Sequence, residues 1–137
     1  MNTYIDLAGN LLKNRLFWLL QIAFLPSLYW LDFWRNAEAC LLAAYISIFL
    51  HEALHIAAAG NRVESVEVTT LWVVVRTSKL PIHRALLSAV SPLVVFAVGV
   101  AIYDISGNFW FSLPFLLHVF LLPLDLANLV VVRNAEG

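Results

Sequence analysis

The chain has 137 residues, of which 62% are hydrophobic and 12% charged, and its formal net charge is −1. This composition lies outside the range of soluble globular proteins, and the small net charge offers no surface for nucleic acid. The single cysteine excludes an internal disulfide. Because the chain is too short for several soluble domains plus membrane spans, we expect one integral membrane domain over residues 1–137, embedded in a lipid bilayer.

Four apolar segments are long enough to cross a hydrocarbon core of about 30 Å as helices. The predicted spans run near residues 16–34, 39–59, 85–105 and 109–132. The sequence therefore predicts an all-α polytopic membrane protein with about four transmembrane helices.

Lysine and arginine orient this predicted bundle. When both termini are placed in the cytoplasm, Arg35 alone of the eight basic residues lies outside. An excess of Lys and Arg in cytoplasmic loops is the rule for multi-pass membrane proteins. We therefore expect a multi-pass protein with both termini in the cytoplasm.

The second predicted span contains His51-Glu52-Ala53-Leu54-His55. On a helix, positions i and i+4 share a face, so His51 and His55 can bind one metal ion while Glu52 addresses a water molecule beside it. An unpaired charged group at the centre of a membrane span costs about 2.5–3.5 kcal/mol, so the presence of His51, Glu52 and His55 there favours a functional role. A polar patch that joins two helices is the alternative interpretation.

Residues 63–76, between the second and third predicted spans, change in character. They are rich in β-branched side chains and too short to span as a helix, which predicts one or two β-strands. A hairpin is less strongly indicated, because no Asn-Gly or similar pair divides the segment. Its apolar half, residues 71–75, either dips into the membrane interface beside the metal site or forms an ordinary cytoplasmic loop.

The last predicted span carries a candidate third metal ligand. Asp125 lies about 12 Å and His51 about 13 Å from the cytoplasmic ends of their helices, so the two are level. Two histidines and a carboxylate leave zinc a fourth position for water. A helix–helix hydrogen bond is the alternative role for Asp125. His118, two turns earlier, should lie about 10 Å nearer the outer leaflet, so we predict a supporting or structural role for it.

Taken together, these segments resemble the site-2 protease family of intramembrane zinc metalloproteases. The resemblance covers residues 39–132 and rests on the His51–His55 motif, the strand-like segment, the pair Ser91-Pro92 and the run Pro123-Leu124-Asp125. It implies one zinc ion per chain, held by His51, His55 and Asp125, with Glu52 as the catalytic base. The span near residues 16–34 is an addition to this core.

The last span departs from the family pattern. Leu117 and Phe120 stand where the family has Asn and Pro, and Leu126 replaces the glycine after the aspartate. Ser91 likewise replaces the glycine before the proline. Asn128, one turn beyond Asp125, is a candidate for supplying the missing amide near the site or for binding substrate.

The expected function is that of a zinc endopeptidase that cuts a membrane-embedded or membrane-proximal segment of another protein. The site should open toward the cytoplasm, since its depth of about 12–13 Å suits a water channel from that side. One alternative is a catalytically silent relative that binds transmembrane helices as an assembly or regulatory factor. Another is a zinc hydrolase of a small lipid-phase substrate. Control of substrate entry would fall to a regulatory membrane partner or to the bundle itself.

Overall fold

The computed structural model describes residues 3–24, 32–69 and 73–127, and over these ranges the chain is mostly helical. The helices are α1 Thr3–Leu12, α2 Arg15–Phe24, α3 Asp32–Ala59, α4 Ile82–Ala89, α5 Ser91–Ser106 and α6 Phe109–Leu117. The strands are β1 Val63–Val68 and β2 Val73–Thr77. A 3-10 turn, His118–Leu121, follows α6, and residues 122–127 are again helical.

Three helical stretches are long and apolar enough to cross a membrane. They are Asn36–Arg62, Ile82–Ser106 and Phe109–Ala127, and they correspond to the second, third and fourth predicted spans. The first predicted span, near residues 16–34, is not confirmed. Its main described part is α2, whose 10 residues cover about 15 Å, half the thickness of a hydrocarbon core. Residues 25–31 of that span lie outside the described residues.

The segment between α3 and α4 forms an antiparallel hairpin, which confirms the prediction of strands from its β-branched composition. The strands β1 and β2 pair in a register that sets Val66 opposite Val75 and Val68 opposite Val73. An irregularity between Val63 and Ser65 interrupts the ladder at its base. Residues 71 and 72, in the apolar half of the segment, lie outside the described residues, so that half is only partly placed.

An additional helix, α1, holds the hairpin against α3. Leu7 is fully buried, and together with Leu11 and Ile56 it forms the centre of a hydrophobic cluster. The side chains packed against this centre come from α3 and from both strands: Ile48, Phe49, Val63, Val66, Val68, Val73 and Val75. Asn14, just after α1, donates a hydrogen bond from Nδ2 to the carbonyl of Thr69 at 3.3 Å. The hairpin is thereby fixed beside the part of α3 that carries the two histidines.

A close helical pair, α5 and α6, brings the end of the described chain back to α3. Gly107 ends α5 with φ of 64°, a left-handed conformation that glycine adopts without strain. Asn108 then begins α6, because its side chain accepts a hydrogen bond from the Phe111 amide at 3.0 Å. Gly99 allows α6 to approach closely, since a Cβ atom there would lie 2.7 Å from Cβ of Phe115. The second hydrophobic cluster, around Ala43, Val95 and Phe115, joins α3, α5 and α6.

Candidate metal centre

The helix α3 brings two histidine rings together. His51 and His55 lie four residues apart in an unbroken helix, so both rings project from one face. Their Nε2 atoms are 3.0 Å apart, and the rings meet edge to face with their centroids 4.6 Å apart. His51 is buried, with 6% of its surface exposed. The four-residue spacing of the two histidines therefore brings their Nε2 atoms together on one face of α3.

Asp125 reaches the same point from the other side of the bundle. Its Oδ2 atom lies 3.3 Å from Nε2 of His55 and 3.6 Å from Nε2 of His51. Before Asp125, the α-helix changes to the 3-10 turn His118–Leu121, and α-helical structure starts again beside Pro123. Proline lacks the N–H that a helix interior requires. This local change of geometry sets the position of the carboxylate opposite α3.

The three ligand atoms fit a tetrahedral metal ion such as zinc. Zinc bonds to nitrogen and oxygen of about 2.0–2.2 Å in tetrahedral geometry require ligand atoms about 3.3 Å apart. The observed separations are 3.0, 3.3 and 3.6 Å. Oδ2 of Asp125 is buried and accepts no hydrogen bond from the described residues, so a cation is the partner that would satisfy it. His51, His55 and Asp125 are therefore a group that can hold a metal ion and leave it a fourth position.

Glu52 lies beside this group rather than in it. Its Oε1 atom is 4.0 Å from Nε2 of His51, and 13% of its side chain is exposed. A carboxylate at that distance does not complete the triangle of ligand atoms, but it can reach a water molecule held next to them. The role of Glu52 as a base stays a prediction of the sequence pattern.

His118 lies beside the histidine pair of α3. The centroid of its ring is 5.2 Å from that of His51. His118 is buried, and its Nδ1 donates to the carbonyl of Pro114 at 2.8 Å. It lies outside the three-residue group of potential ligands, and Asn128 lies outside the described residues.

Two serines that the sequence analysis did not assign to the site contact His55. Oγ of Ser88 is 2.6 Å from Nδ1, and Oγ of Ser91 is 3.3 Å from Nε2. The sequence does show two serines three residues apart in an apolar segment, a spacing that places both hydroxyls on one face of a helix. That spacing does not say which neighbouring helix they face.

Comparison with family models, with curated proteins and with solved structures finds no match to this chain. The functional interpretation therefore rests on the geometry of the site and on the sequence pattern.

Proposed function

We propose that this protein is an intramembrane zinc endopeptidase that cleaves membrane-embedded or membrane-proximal segments of other proteins. The observation that carries the proposal is the triangle of ligand atoms from His51, His55 and Asp125, with Glu52 beside it, on helices apolar enough to cross a membrane. A hydrolytic metal centre needs such a set of three ligands plus a base that is not a ligand.

The roles of the residues follow from their positions. His51, His55 and Asp125 hold the metal ion, which supplies Lewis acidity toward a peptide carbonyl and toward water. Glu52 accepts a proton from the attacking water at its carboxylate and returns it to the nitrogen of the departing peptide. The surrounding apolar helices limit the access of water, so that charge interactions at the centre are stronger than they are in bulk water.

The hairpin supports the assignment of a peptide as the substrate. A helix conceals its carbonyls in its own hydrogen bonds, so a substrate segment must be extended before it can be cut. The hairpin begins directly after α3 and the short 3-10 turn Gly60–Arg62. Its outer strand edges have no partner strand among the described residues. Such an edge can accept an extended peptide as an additional strand.

The order of the elements supports a relationship to the site-2 protease family. The motif helix α3, the hairpin, the helix starting at Ser91-Pro92 and the segment with Asp125 follow one another as in that family. Leu117, Phe120 and Leu126 depart from the family pattern, but none of them occupies a ligand position. The departures therefore affect the surroundings of the centre rather than its ligands.

The test compares the wild type with Glu52→Gln in the full chain purified in detergent and in the cells that produce it. The wild type should contain about one zinc per chain. Glu52→Gln should keep that zinc, because the side chain is not a ligand, and should reduce cleavage by at least about 10²-fold. Cleavage is measured as new protein N-termini within or beside membrane spans, which appear with the wild type and not with the variant.

Two results would contradict this proposal. Cleavage that survives Glu52→Gln would remove the base from the mechanism. A wild type with neither zinc nor new N-termini would contradict an enzymatic function. It would favour a catalytically silent protein that binds transmembrane helices, the alternative that the departures at Leu117 and Phe120 suggest.

A further inference from the structure

Two serines contact the two nitrogens of one ligand ring. Ser88 lies near the end of α4 and approaches Nδ1 of His55 at 2.6 Å. Ser91 is the first residue of α5 and approaches Nε2 of the same ring at 3.3 Å. Ser91 is 1% exposed, so its contact is made inside the protein.

A break between α4 and α5 places both hydroxyls on the same ring. Val90 leaves the helical conformation, with φ of −93° and ψ of 1°. Pro92 explains the break, because proline has no N–H to donate to the carbonyl of Ser88 and its ring excludes that carbonyl. The two serines therefore flank a bend in the chain, and both reach α3.

Binding of a metal ion at Nε2 requires one tautomer of His55. When Nε2, which lies 3.3 Å from Oδ2 of Asp125, binds the ion, it offers its lone pair and the ring proton sits on Nδ1. That proton needs an acceptor, and the Ser88 hydroxyl is at hydrogen-bonding distance. Without the ion, the Asp125 carboxylate at 3.3 Å can only accept a hydrogen bond and so favours a proton on Nε2 instead.

His51 provides a contrast on the same helix. Its Nδ1 atom is buried and has no hydrogen-bond partner among the described residues. Of the two histidines, only His55 therefore has a hydrogen-bond partner at Nδ1 among the described residues. A histidine ligand that donates its second N–H to a fixed acceptor is both oriented and made more basic toward the metal.

We propose that Ser88 is a positioning residue of the metal centre, which accepts the Nδ1 proton of His55 and so keeps Nε2 aimed at the metal ion. This inference rests on the proposed function, since it assumes that His51, His55 and Asp125 hold a metal. Ser91 has a different role, because its hydroxyl contacts the nitrogen that the metal takes and must give up that contact when the metal binds.

The experiment is a zinc titration of the full chain in detergent. Ser88→Ala should raise the Kd for Zn²⁺ about 10–100-fold, the usual effect of removing a partner of a histidine ligand. Ser88→Thr keeps the hydroxyl and should restore most of the affinity. Ser112→Ala is the matched control, because it removes a fully buried serine hydroxyl that bonds to Asn108 within its own helix. Ser91→Ala should not weaken zinc binding.

A second readout follows the Nδ1 proton itself. Nitrogen NMR of the imidazoles in the zinc-loaded chain should show the Nδ1 proton of His55 in a hydrogen bond and protected from exchange with water in the wild type. In Ser88→Ala that proton should exchange faster, whereas Ser112→Ala should leave it protected.

The outcomes separate this inference from the proposed function. A wild type that binds zinc, together with a Ser88→Ala variant of equal affinity, would overturn the role of Ser88 and leave the metal centre intact. Equal weakening in the Ser88, Ser91 and Ser112 variants would also overturn it, because the effect would then be one of packing. A wild type that binds no zinc would overturn both proposals.

Discussion

At the scale of single residues, the centre depends on side chains that converge from two separate helices. His51 and His55 share a face of α3, and Asp125 comes from the last described helical segment. The Nε2 atoms of His51 and His55 are 3.0 Å apart. If both nitrogens carried lone pairs and no cation lay between them, these lone pairs would repel each other. The carboxylate at 3.3 and 3.6 Å supplies the negative charge that makes a cation favourable there.

Asp125 and His118 differ in their predicted effect on the metal. Asp125→Ala should lower zinc affinity by more than the roughly 10–100-fold that loss of an outer partner costs, because it removes one of three ligands. His118→Ala should leave the zinc content close to that of the wild type, since the Nδ1 atom of this ring is bonded to Pro114 and the residue is not in the ligand group. Metal analysis of the two purified variants measures both effects.

The assignment of ligands would be wrong if these results were exchanged. A normal zinc content in Asp125→Ala, with loss in His118→Ala, would identify the buried histidine as the third ligand. It would also contradict the proposed relationship to the site-2 protease family at the last predicted span.

At the scale of secondary structure, the contact between α5 and α6 determines where Asp125 lies. Gly99 meets Phe115 so closely that an added Cβ would also come within 3.0 Å of the Leu116 backbone nitrogen. Backbone cannot retreat as a flexible side chain can, so a larger residue must push the helices apart. Because residues 122–127 continue from α6 through the 3-10 turn, such a displacement carries Asp125 with it.

Gly99→Ala should therefore destabilise the protein by about 1–3 kcal/mol and weaken zinc binding, although Gly99 touches none of the ligands. Gly9→Ala in α1 is the control, because a Cβ there has no atom within 4 Å and an alanine favours the helix. Thermal unfolding in detergent, followed with and without added zinc, compares the two variants. Equal behaviour of both variants would show that the approach of α5 and α6 does not position the site.

Local patterns in the sequence account for the elements that carry their own periodicity. The spacing of His51 and His55 predicts a shared helix face, and the β-branched run predicts strands, as the structure has them. The helix α1 was missed because only Leu7 and Leu11 in it are buried, and their burial depends on the distant hairpin. The contact of Ser88 with His55 was missed for the same reason, since it joins residues 33 positions apart.

At the scale of the whole molecule, basic side chains gather where α3 ends and α4 begins. Nη1 of Arg84 donates to the carbonyl of Ala59 at 3.0 Å, which satisfies a free carbonyl at the end of α3. Arg62 in turn donates to the carbonyl of Lys79. Both contacts lie at the hairpin end of the bundle, and we propose that this end faces the cytoplasm, as the positive-inside rule favours.

Single reporter cysteines can test this orientation. Cys40 is a free thiol and is first replaced by alanine. New cysteines at Glu64 and Lys79, both exposed, should react with a membrane-impermeant reagent from the cytoplasmic side, and one at the exposed Ser106 should react only from the opposite side. Ser106 is preferable to Gly107, whose left-handed backbone would be strained by a side chain. Labelling of position 64 from the outside alone would invert the bundle.

The separation of the ligands along the chain has a consequence for biosynthesis. A ribosome releases α3, with both histidines and Glu52, long before it releases Asp125. Two imidazoles without the carboxylate provide only half of a tetrahedral set, so the proposed zinc ion would bind weakly to a nascent chain. The proposed hydrolytic activity would then arise only after the segment that carries Asp125 has packed against α3. In the proposed protease, this order would protect the insertion machinery and neighbouring nascent proteins during synthesis.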